Sequence, residues 1–169
     1  MKNKMPFEEV YSSCYDRVYK SVYMRILDRE STEDIVQDVF IKAMNAYDTY
    51  DPEKASVFTW ISRIATNTLT DFFRKDKSDK IVSYDVFLEN GFDPGAEDPE
   101  LARLSDDYSK EAYIILKALT DEERELLMLR FGMELSYGEI AERIGSNEKA
   151  VAKRMQRLLT KCKEMRDKG

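Results

Sequence analysis

A set of polar and cationic residues near the C-terminal end of the chain has the chemistry needed to bind nucleic acid. Amide side chains can pair with base edges, and guanidinium and ammonium groups can bind guanine or phosphate. The set, on one face of a predicted helix, is Asn147, Glu148, Lys149, Ala150, Lys153, Arg154 and Arg157. We expect the first members to reach base edges in a major groove and the later cations to contact phosphates.

A second polar stripe lies in the first half of the chain. Arg63, Asn67, Asp71, Arg74 and Lys75 recur at helical spacing, opposite an apolar face. Asn can pair with adenine, and Arg or Lys with guanine or phosphate. Asp71 is anionic, so we expect it to orient Arg74 or Lys75 and not to contact DNA.

The residue inventory argues against catalysis and metal binding. The chain has no histidine, which excludes Ser-His-Asp and Cys-His catalysis and His-ligated metals. Its two cysteines, Cys14 and Cys162, are too few for a disulfide scaffold or a four-thiolate zinc site, so we expect reduced thiols in a core. No Gly-rich phosphate loop is present. The sequence therefore predicts a protein that is not an enzyme, with no metal and no cofactor.

Charge is distributed unevenly along the chain, whose net charge is −6. Residues 148–169 carry eight Lys/Arg and three Asp/Glu, whereas residues 76–107 carry three Lys/Arg and ten Asp/Glu. A short basic end on an acidic chain predicts one local nucleic-acid contact and another partner elsewhere. There is no apolar run long enough to span a bilayer and no secretory signal, so no membrane insertion and a cytoplasmic location are expected.

The helices that carry the first stripe are predicted from apolar periodicity. The pattern predicts helices from about Pro6 to Leu27, from Ser31 onward and from about Ser56 to Lys75. Ser31 and Asp34 resemble a capping box at the start of the second helix. The three helices can enclose a first core.

The second half returns to a helical period after residues 76–107, which have none. A helix is predicted from about Asp107 to Leu119, and capping boxes at Thr120–Glu123 and Ser136–Glu139 begin two more. Gly132 and Gly145 suit left-handed helix ends, and Ser146 or Asn147 can cap a last helix that runs to about Met165. Ile140, Ala141 and Ile144, followed by Val151, Met155 and Leu158, are expected to face inward.

A short capped helix, a glycine turn and a longer basic helix form a helix-turn-helix pattern. The predicted fold is all-α, with two small helical domains (1–75 and 108–169) joined by an acidic flexible linker (76–107). The C-terminal domain is the helix-turn-helix. The alternative is a plain helical hairpin with a solvated basic face.

Several segments resemble those of extracytoplasmic-function sigma factors. SYGEIAERIGSNEKAVAKRMQRL resembles region 4 of that family, and EDIVQDVF followed by FTWISRIATNTLTDFFRK resembles region 2. The resemblance implies promoter-specific transcription initiation, with core RNA polymerase and promoter DNA as partners. It also implies an anti-sigma factor, although no residue of the sequence indicates where one would bind.

The resemblance assigns roles to the residues above. The C-terminal set, Asn147 to Arg157, would read the −35 element. The −10 element would be melted by binding energy and held by the third helix and the loop before it, where family members capture a flipped base. The implied −10 residues are Glu53, Lys54, Ala55, Ser56, Phe58, Arg63, Asn67, Arg74 and Lys75. Phe58 could supply stacking surface or be core, and core is expected for Trp60.

Polymerase binding is implied for an acidic, amide-bearing stripe of the second helix that includes Asp34, Gln37, Asp38 and Ile41. An ordinary solvated face is the alternative. The acidic linker either enters a polymerase channel or is a solvated tether.

The chain departs from the family pattern in its last helix. Lys149 to Arg154 read Lys-Ala-Val-Ala-Lys-Arg, where many relatives have Gly-Thr-Val-Lys-Ser-Arg, and Asn147 stands where relatives often have Pro. Phosphate binding is expected to survive this change, whereas base preference does not follow from the resemblance. Two other functions remain open. One is a stand-alone regulator that binds DNA through its helix-turn-helix and uses residues 1–75 as a dimerisation or sensor domain, and the other is a sigma-like adaptor without promoter selectivity.

Overall fold

The computed structural model describes residues 4–79 and 99–169, and all regular structure in these two ranges is helical. The predicted all-α fold is therefore confirmed. Most of the predicted acidic linker lies outside the described residues. Within the described ranges, no helix has the length and apolar character needed to cross a bilayer.

Three long helices form the first half: α1 (Phe7–Ile26), α2 (Arg29–Ala46) and α3 (Val57–Asp79). The carboxylate of Asp28, which has an extended backbone, accepts a hydrogen bond from the Ser31 amide at 2.9 Å and caps α2. The prediction of a capping box at Ser31 and Asp34 is therefore wrong. The helix begins two residues earlier because Asp28 already supplies the acceptor.

Five further helices lie within residues 99–169. They are α4 (Pro99–Arg103), α5 (Asp107–Ala118), α6 (Asp121–Leu127), α7 (Tyr137–Ile144) and α8 (Glu148–Lys168). A π-helical turn, Met128–Gly132, continues α6. The short helix α4 lies within residues 76–107, a segment in which no helical period is found.

The predicted capping boxes of α6 and α7 are both present. Thr120 and Glu123 exchange side-chain-to-backbone hydrogen bonds of 2.9 and 3.2 Å. Ser136 and Glu139 do the same at 2.7 and 3.1 Å. Each box satisfies two backbone amides that the first helical turn leaves without partners.

One of the two predicted glycine helix ends is confirmed. Gly145 ends α7 with a left-handed φ of 67°. Gly132 was expected to do the same but has no positive φ; Glu134 takes the left-handed conformation instead, with a φ of 58°. The chain therefore turns two residues later than predicted, and Gly132 instead lies in close contact with Ser21.

A continuous apolar core joins the two halves of the chain. Helix α1 packs against α2 and α3 on one side and against the π-helical turn on the other. Val18 and Val22 of α1 and Leu129 of the turn are almost completely buried in it. The ranges proposed as separate domains thus lie against each other in this structure.

Candidate nucleic-acid interface

The turn between α7 and α8 has the geometry of a helix-turn-helix. The Ser146 amide donates to the Ala141 carbonyl at 2.8 Å, which closes the end of α7. Asn147 caps α8 by accepting a hydrogen bond from the Ala150 amide at 2.9 Å. Ala141 is 4% exposed, as expected where two helices cross closely. These bonds define the end of α7 and the start of α8, and the two helices pack against each other through buried side chains.

Helix α8 presents its predicted DNA-binding set outward. Val151, Met155 and Leu158 are buried, which confirms the predicted inner face. Ile144 was expected to be buried as well but is 36% exposed, because it is the last residue of α7 and lines an open groove between α6 and α8. The exposed members of the set are Asn147, Glu148, Lys149, Lys153, Arg154 and Arg157, and Ala150 is half-buried.

A groove between α6 and α8 brings acids close to the later cations of this set. Arg154, Arg157 and Lys161 line it together with three glutamates of α6. Lys161 donates to both carboxylate oxygens of Glu123 at 2.8 Å. Desolvation raises the pKa of Glu123, but the bonds from Lys161 and Thr120 outweigh it and hold the pKa below its usual value. The negative charge of α6 therefore borders the basic face of α8.

The polar stripe of α3 is also at the surface. Arg63, Asn67, Arg74 and Lys75 are all exposed. Asp71 and Arg74 form an ion pair of 3.6 Å, in agreement with the predicted orienting role of Asp71. The stripe thus presents amide and guanidinium donors in a row along one helix.

The loop before α3 divides into exposed and structural residues. Glu53 and Lys54 are exposed. Ser56 accepts a hydrogen bond from the Thr59 amide at 3.1 Å and so caps the first turn of α3. Phe58 is 7% exposed, and the Arg17 guanidinium lies 3.5 Å from its ring centroid. Ala55 and Trp60 are half-buried.

The candidate polymerase-binding residues lie together on the exposed face of α2. They are Asp34, Gln37, Asp38 and Ile41. Ile41 is 48% exposed, and the neighbouring Met44 and Tyr11 are 55% and 44% exposed. The apolar stripes of α1 and α2 are wider than the area that the two helices bury against each other and the core. The uncovered apolar side chains form a mixed patch with the acidic residues of α2.

Glu100 shows that part of the acidic segment is tied to the first half. Its carboxylate accepts from the Tyr23 hydroxyl at 3.1 Å, the Arg29 amide at 3.1 Å and Arg103 at 3.0 Å. The residue is only 7% exposed. Glu100 therefore binds the first turn of α2. The acidic composition of residues 76–107 does not distinguish it from the other acids of that segment.

No cluster of potential metal ligands is found in residues 4–79 and 99–169.

Comparison with known proteins gives a consistent family. The model of Sigma-70 region 2 matches residues 10–78, and that of Sigma-70 region 4 matches residues 113–162. The RNA polymerase sigma factor YlaC of Bacillus subtilis is 30% identical over 147 residues, covering 86% of this chain and 83% of YlaC. The ECF RNA polymerase sigma factor SigW of the same organism is 30% identical over 142 residues, covering 80% of this chain and 75% of SigW. The chain belongs to the extracytoplasmic-function family of RNA polymerase sigma factors.

Two solved structures share the fold of this sigma factor. The sigma factor RpoE of Bartonella quintana, solved with the anti-sigma factor NepR, superposes with a TM-score of 0.66 at 19% identity over 94% of this chain and 95% of RpoE. CnrH, solved with the cytosolic domain of CnrY, superposes with a TM-score of 0.59 at 24% identity, covering 95% of this chain and 87% of CnrH. Membership of the family means that this sigma factor binds core RNA polymerase and directs promoter-specific transcription initiation, including −10 melting and −35 recognition.

Proposed function

We propose that the two exposed polar faces of this sigma factor divide promoter recognition between them. Helix α8 binds the −35 element as a duplex, with Lys149 and its neighbours at base edges and Lys153, Arg154 and Arg157 at phosphates. Helix α3 binds the −10 element through Arg63, Asn67, Arg74 and Lys75. The observation that carries this proposal is that both sets are exposed while the opposite faces of the same helices are buried.

The loop residues Glu53 to Ser56 serve the capture of a base that has been flipped out of the −10 element. Flipping a base costs a few kcal/mol, so a surface that binds the extruded base is needed to hold the strands apart. Phe58 is buried below the loop and supports it from the core side. No chemical step of this chain is required, because strand separation is driven by binding energy. The protein is accordingly not an enzyme and acts without a metal or cofactor of its own.

Core polymerase binds the face of α2 that carries Asp34, Gln37, Asp38 and Ile41. The mixture of carboxylates with the exposed Ile41 suits a helical partner, since apolar contact gives affinity and charge gives register. An anti-sigma factor that covered this face would compete with polymerase, and the solved relative RpoE was determined with an anti-sigma factor. We place the protein in the cytoplasm, where polymerase and DNA are found.

Residues 1–75 and 108–169 act as two promoter-binding domains, and residues 76–107 link them. The separate matches to region 2 and region 4 support this division. Binding both domains to one polymerase raises their effective concentration at the two promoter elements, so neither has to bind DNA tightly alone.

Run-off transcription tests the proposal directly. Purified core polymerase and this sigma factor are supplied with a library of genomic fragments, and promoter-dependent products are sequenced.

A second experiment measures the affinity of the holoenzyme for the −35 duplex as a function of salt concentration. Duplex binding should be weakened, and the slope of log affinity against log salt lowered by about 1, in each of the variants Lys153→Gln, Arg154→Gln and Arg157→Gln. Lys163→Gln, an exposed cation of α8 outside the set, is the matched control. No promoter-dependent product, or a homodimer that does not associate with core, would contradict the proposal.

A further inference from the structure

The loop between α2 and α3 is held in one shape by bonds at both of its ends. The Lys54 amide donates to the Asp51 carbonyl at 3.1 Å, and the Glu53 amide donates to the Asp51 carboxylate at 3.0 Å. The hydroxyl of Tyr50 donates to the Ala55 carbonyl at 3.0 Å. This last bond spans the loop, since it joins the residue before the turn to the residue after it.

Tyr50 is itself fixed in the helical framework. It is 7% exposed, and its amide donates to the Tyr47 carbonyl at 3.1 Å. Its ring stacks on Tyr47 with a centroid distance of 5.8 Å and contacts Trp60 at 5.2 Å. A buried phenol that is packed on two aromatic rings has little freedom to move, so its hydroxyl is a stable anchor for the Ala55 carbonyl.

The N-terminal segment fixes the same aromatic cluster from outside. Lys4 donates to the carbonyls of Tyr47 and Asp48 at 3.1 and 2.9 Å, and the Tyr47 hydroxyl donates to the Met5 carbonyl at 2.6 Å. The base of the loop is thus tied to α3, to the end of α2 and to the chain before α1. The exposed Glu53 and Lys54 project from a rigid base.

We infer that Tyr50 is a positioning residue for base capture, acting through the Ala55 carbonyl to set the width of the loop; this inference rests on the proposed function of that loop. Capturing a flipped base requires a preformed surface, because any free energy used to order the loop is lost from the binding of the base. Tyr50 is buried, so it orders the loop without contacting DNA.

The test compares Tyr50→Phe with the wild-type sigma factor in complete holoenzyme. The substitution keeps the buried ring and removes only the hydroxyl. Tyr23→Phe is the matched control, because it also removes one bonded tyrosine hydroxyl from the first half of the chain, at a site remote from the loop. The template is the strongest promoter recovered from the genomic run-off library, and open-complex formation is followed by permanganate reactivity of unpaired thymines.

Tyr50→Phe should reduce open-complex formation about fivefold, the factor expected from the net contribution of one hydrogen bond. Tyr23→Phe should leave it unchanged, and both variants should bind core as wild type does. The decisive readout uses templates with one abasic site, moved in turn along the non-template strand of the −10 element. At the captured position, wild type and Tyr50→Phe should become equal, since no base remains to be captured.

The results separate three cases. An initiation defect of Tyr50→Phe that disappears at one abasic position supports the inference. Wild-type rates on the intact promoter, or a defect that persists on every abasic template, would overturn it. If Tyr50→Phe lowers the melting temperature, a second variant is needed. Asp51→Ala removes a different side-chain bond of the loop, the one from the Glu53 amide, and should reproduce the base-dependent loss. Failure of the wild-type protein to initiate at any fragment would instead contradict the proposed function.

Discussion

Ser21 of α1 and Gly132 at the end of the π-helical turn lie so close together that a methyl group on residue 132 would be 2.7 Å from the Ser21 hydroxyl oxygen. It would also be 2.9 Å from the Ser21 Cβ atom. Ser21 is 3% exposed and its hydroxyl donates to the Arg17 carbonyl at 2.7 Å, so it has no free space to move into. Glycine at position 132 therefore allows the two halves of the chain to pack directly.

Gly132→Ala should destabilise the folded protein by about 1–3 kcal/mol, the usual cost of adding a methyl group to a well-packed contact. The same substitution should cost less when it is made in the Ser21→Gly variant than when it is made in wild type. The reason is that Ser21→Gly removes both clashing atoms. Urea unfolding of the four proteins gives the coupling free energy. Additive effects would show that the contact is not the source of the cost.

Gly138→Ala is the matched control for this measurement. An added Cβ at residue 138 would have its nearest neighbour, a Glu148 carboxylate oxygen, at 3.6 Å, which is ordinary van der Waals contact. Since alanine favours helix more than glycine, this variant should be as stable as wild type or more stable by up to about 1 kcal/mol. A loss as large as that of Gly132→Ala would argue against the steric explanation.

The two glycines near the helix ends show what sequence reasoning can and cannot reach. Gly145, like the capping residues Thr120 and Ser136, acts through bonds to residues within five positions, so its role follows from the local pattern. Gly132 acts through Ser21, more than one hundred positions earlier, and no local pattern reports that distance. A glycine at a predicted helix end was therefore given the common explanation, left-handed backbone, instead of close packing.

The same distinction applies to the candidate site. The outward faces of α3 and α8 were predicted because a helical period determines which residues share a face. The role of Tyr50 could not be predicted, since a tyrosine before Asp-Pro does not reveal that its hydroxyl reaches residue 55. Ile144 was placed in the core because periodicity predicts the direction of a side chain. It does not predict whether another helix covers that side chain.

Asp121 should make the stability of the protein depend on pH. Its carboxylate accepts from Arg25 at 2.9 Å and from Arg124 at 2.7 Å. Partial burial raises the pKa of this carboxyl, but the two guanidinium groups outweigh it and hold the pKa below its usual value. A carboxyl with a pKa lowered by folding stabilises the protein above its unfolded pKa of about 4, and this contribution is lost as the pH falls through the folded pKa.

Asp121→Asn should therefore be less stable than wild type near neutral pH, and the difference should shrink as the pH falls below about 4. Because the carboxylate is about half exposed, the effect should be modest and should weaken with added salt. Urea unfolding across the acid range measures it. A difference that stayed constant down to the acid limit would mean that the charge of Asp121 does not contribute.

Asp28 and not Ser31 should be the main cap of α2. Asp28→Ala removes the acceptor of the Ser31 amide and should cost about 1 kcal/mol, whereas Ser31→Ala leaves that bond in place and should cost less. Bonds from Ser31 lower the pKa of Asp28, so the contribution of its charge is present above the unfolded pKa and is lost as the pH falls through the folded pKa. Asp28→Asn keeps an uncharged cap and should remove this pH dependence. Equal losses for Asp28→Ala and Ser31→Ala would favour the capping box that the sequence suggested.

One pair of substitutions can separate the capping role of Asn147 from its proposed role in DNA binding. Its side-chain oxygen caps α8 by accepting from the Ala150 amide, and the proposed −35 contact begins at the same residue. Asn147→Ala should cost about 1 kcal/mol of stability because the cap is lost. Asn147→Asp keeps the acceptor and places a negative charge at a helix N-terminus, so the protein should be at least as stable as wild type. The same charge would face DNA, so the holoenzyme with Asn147→Asp should bind the −35 duplex more weakly at low salt. If it binds as tightly as wild type, Asn147 is only a cap and the DNA-reading face of α8 begins further along the helix.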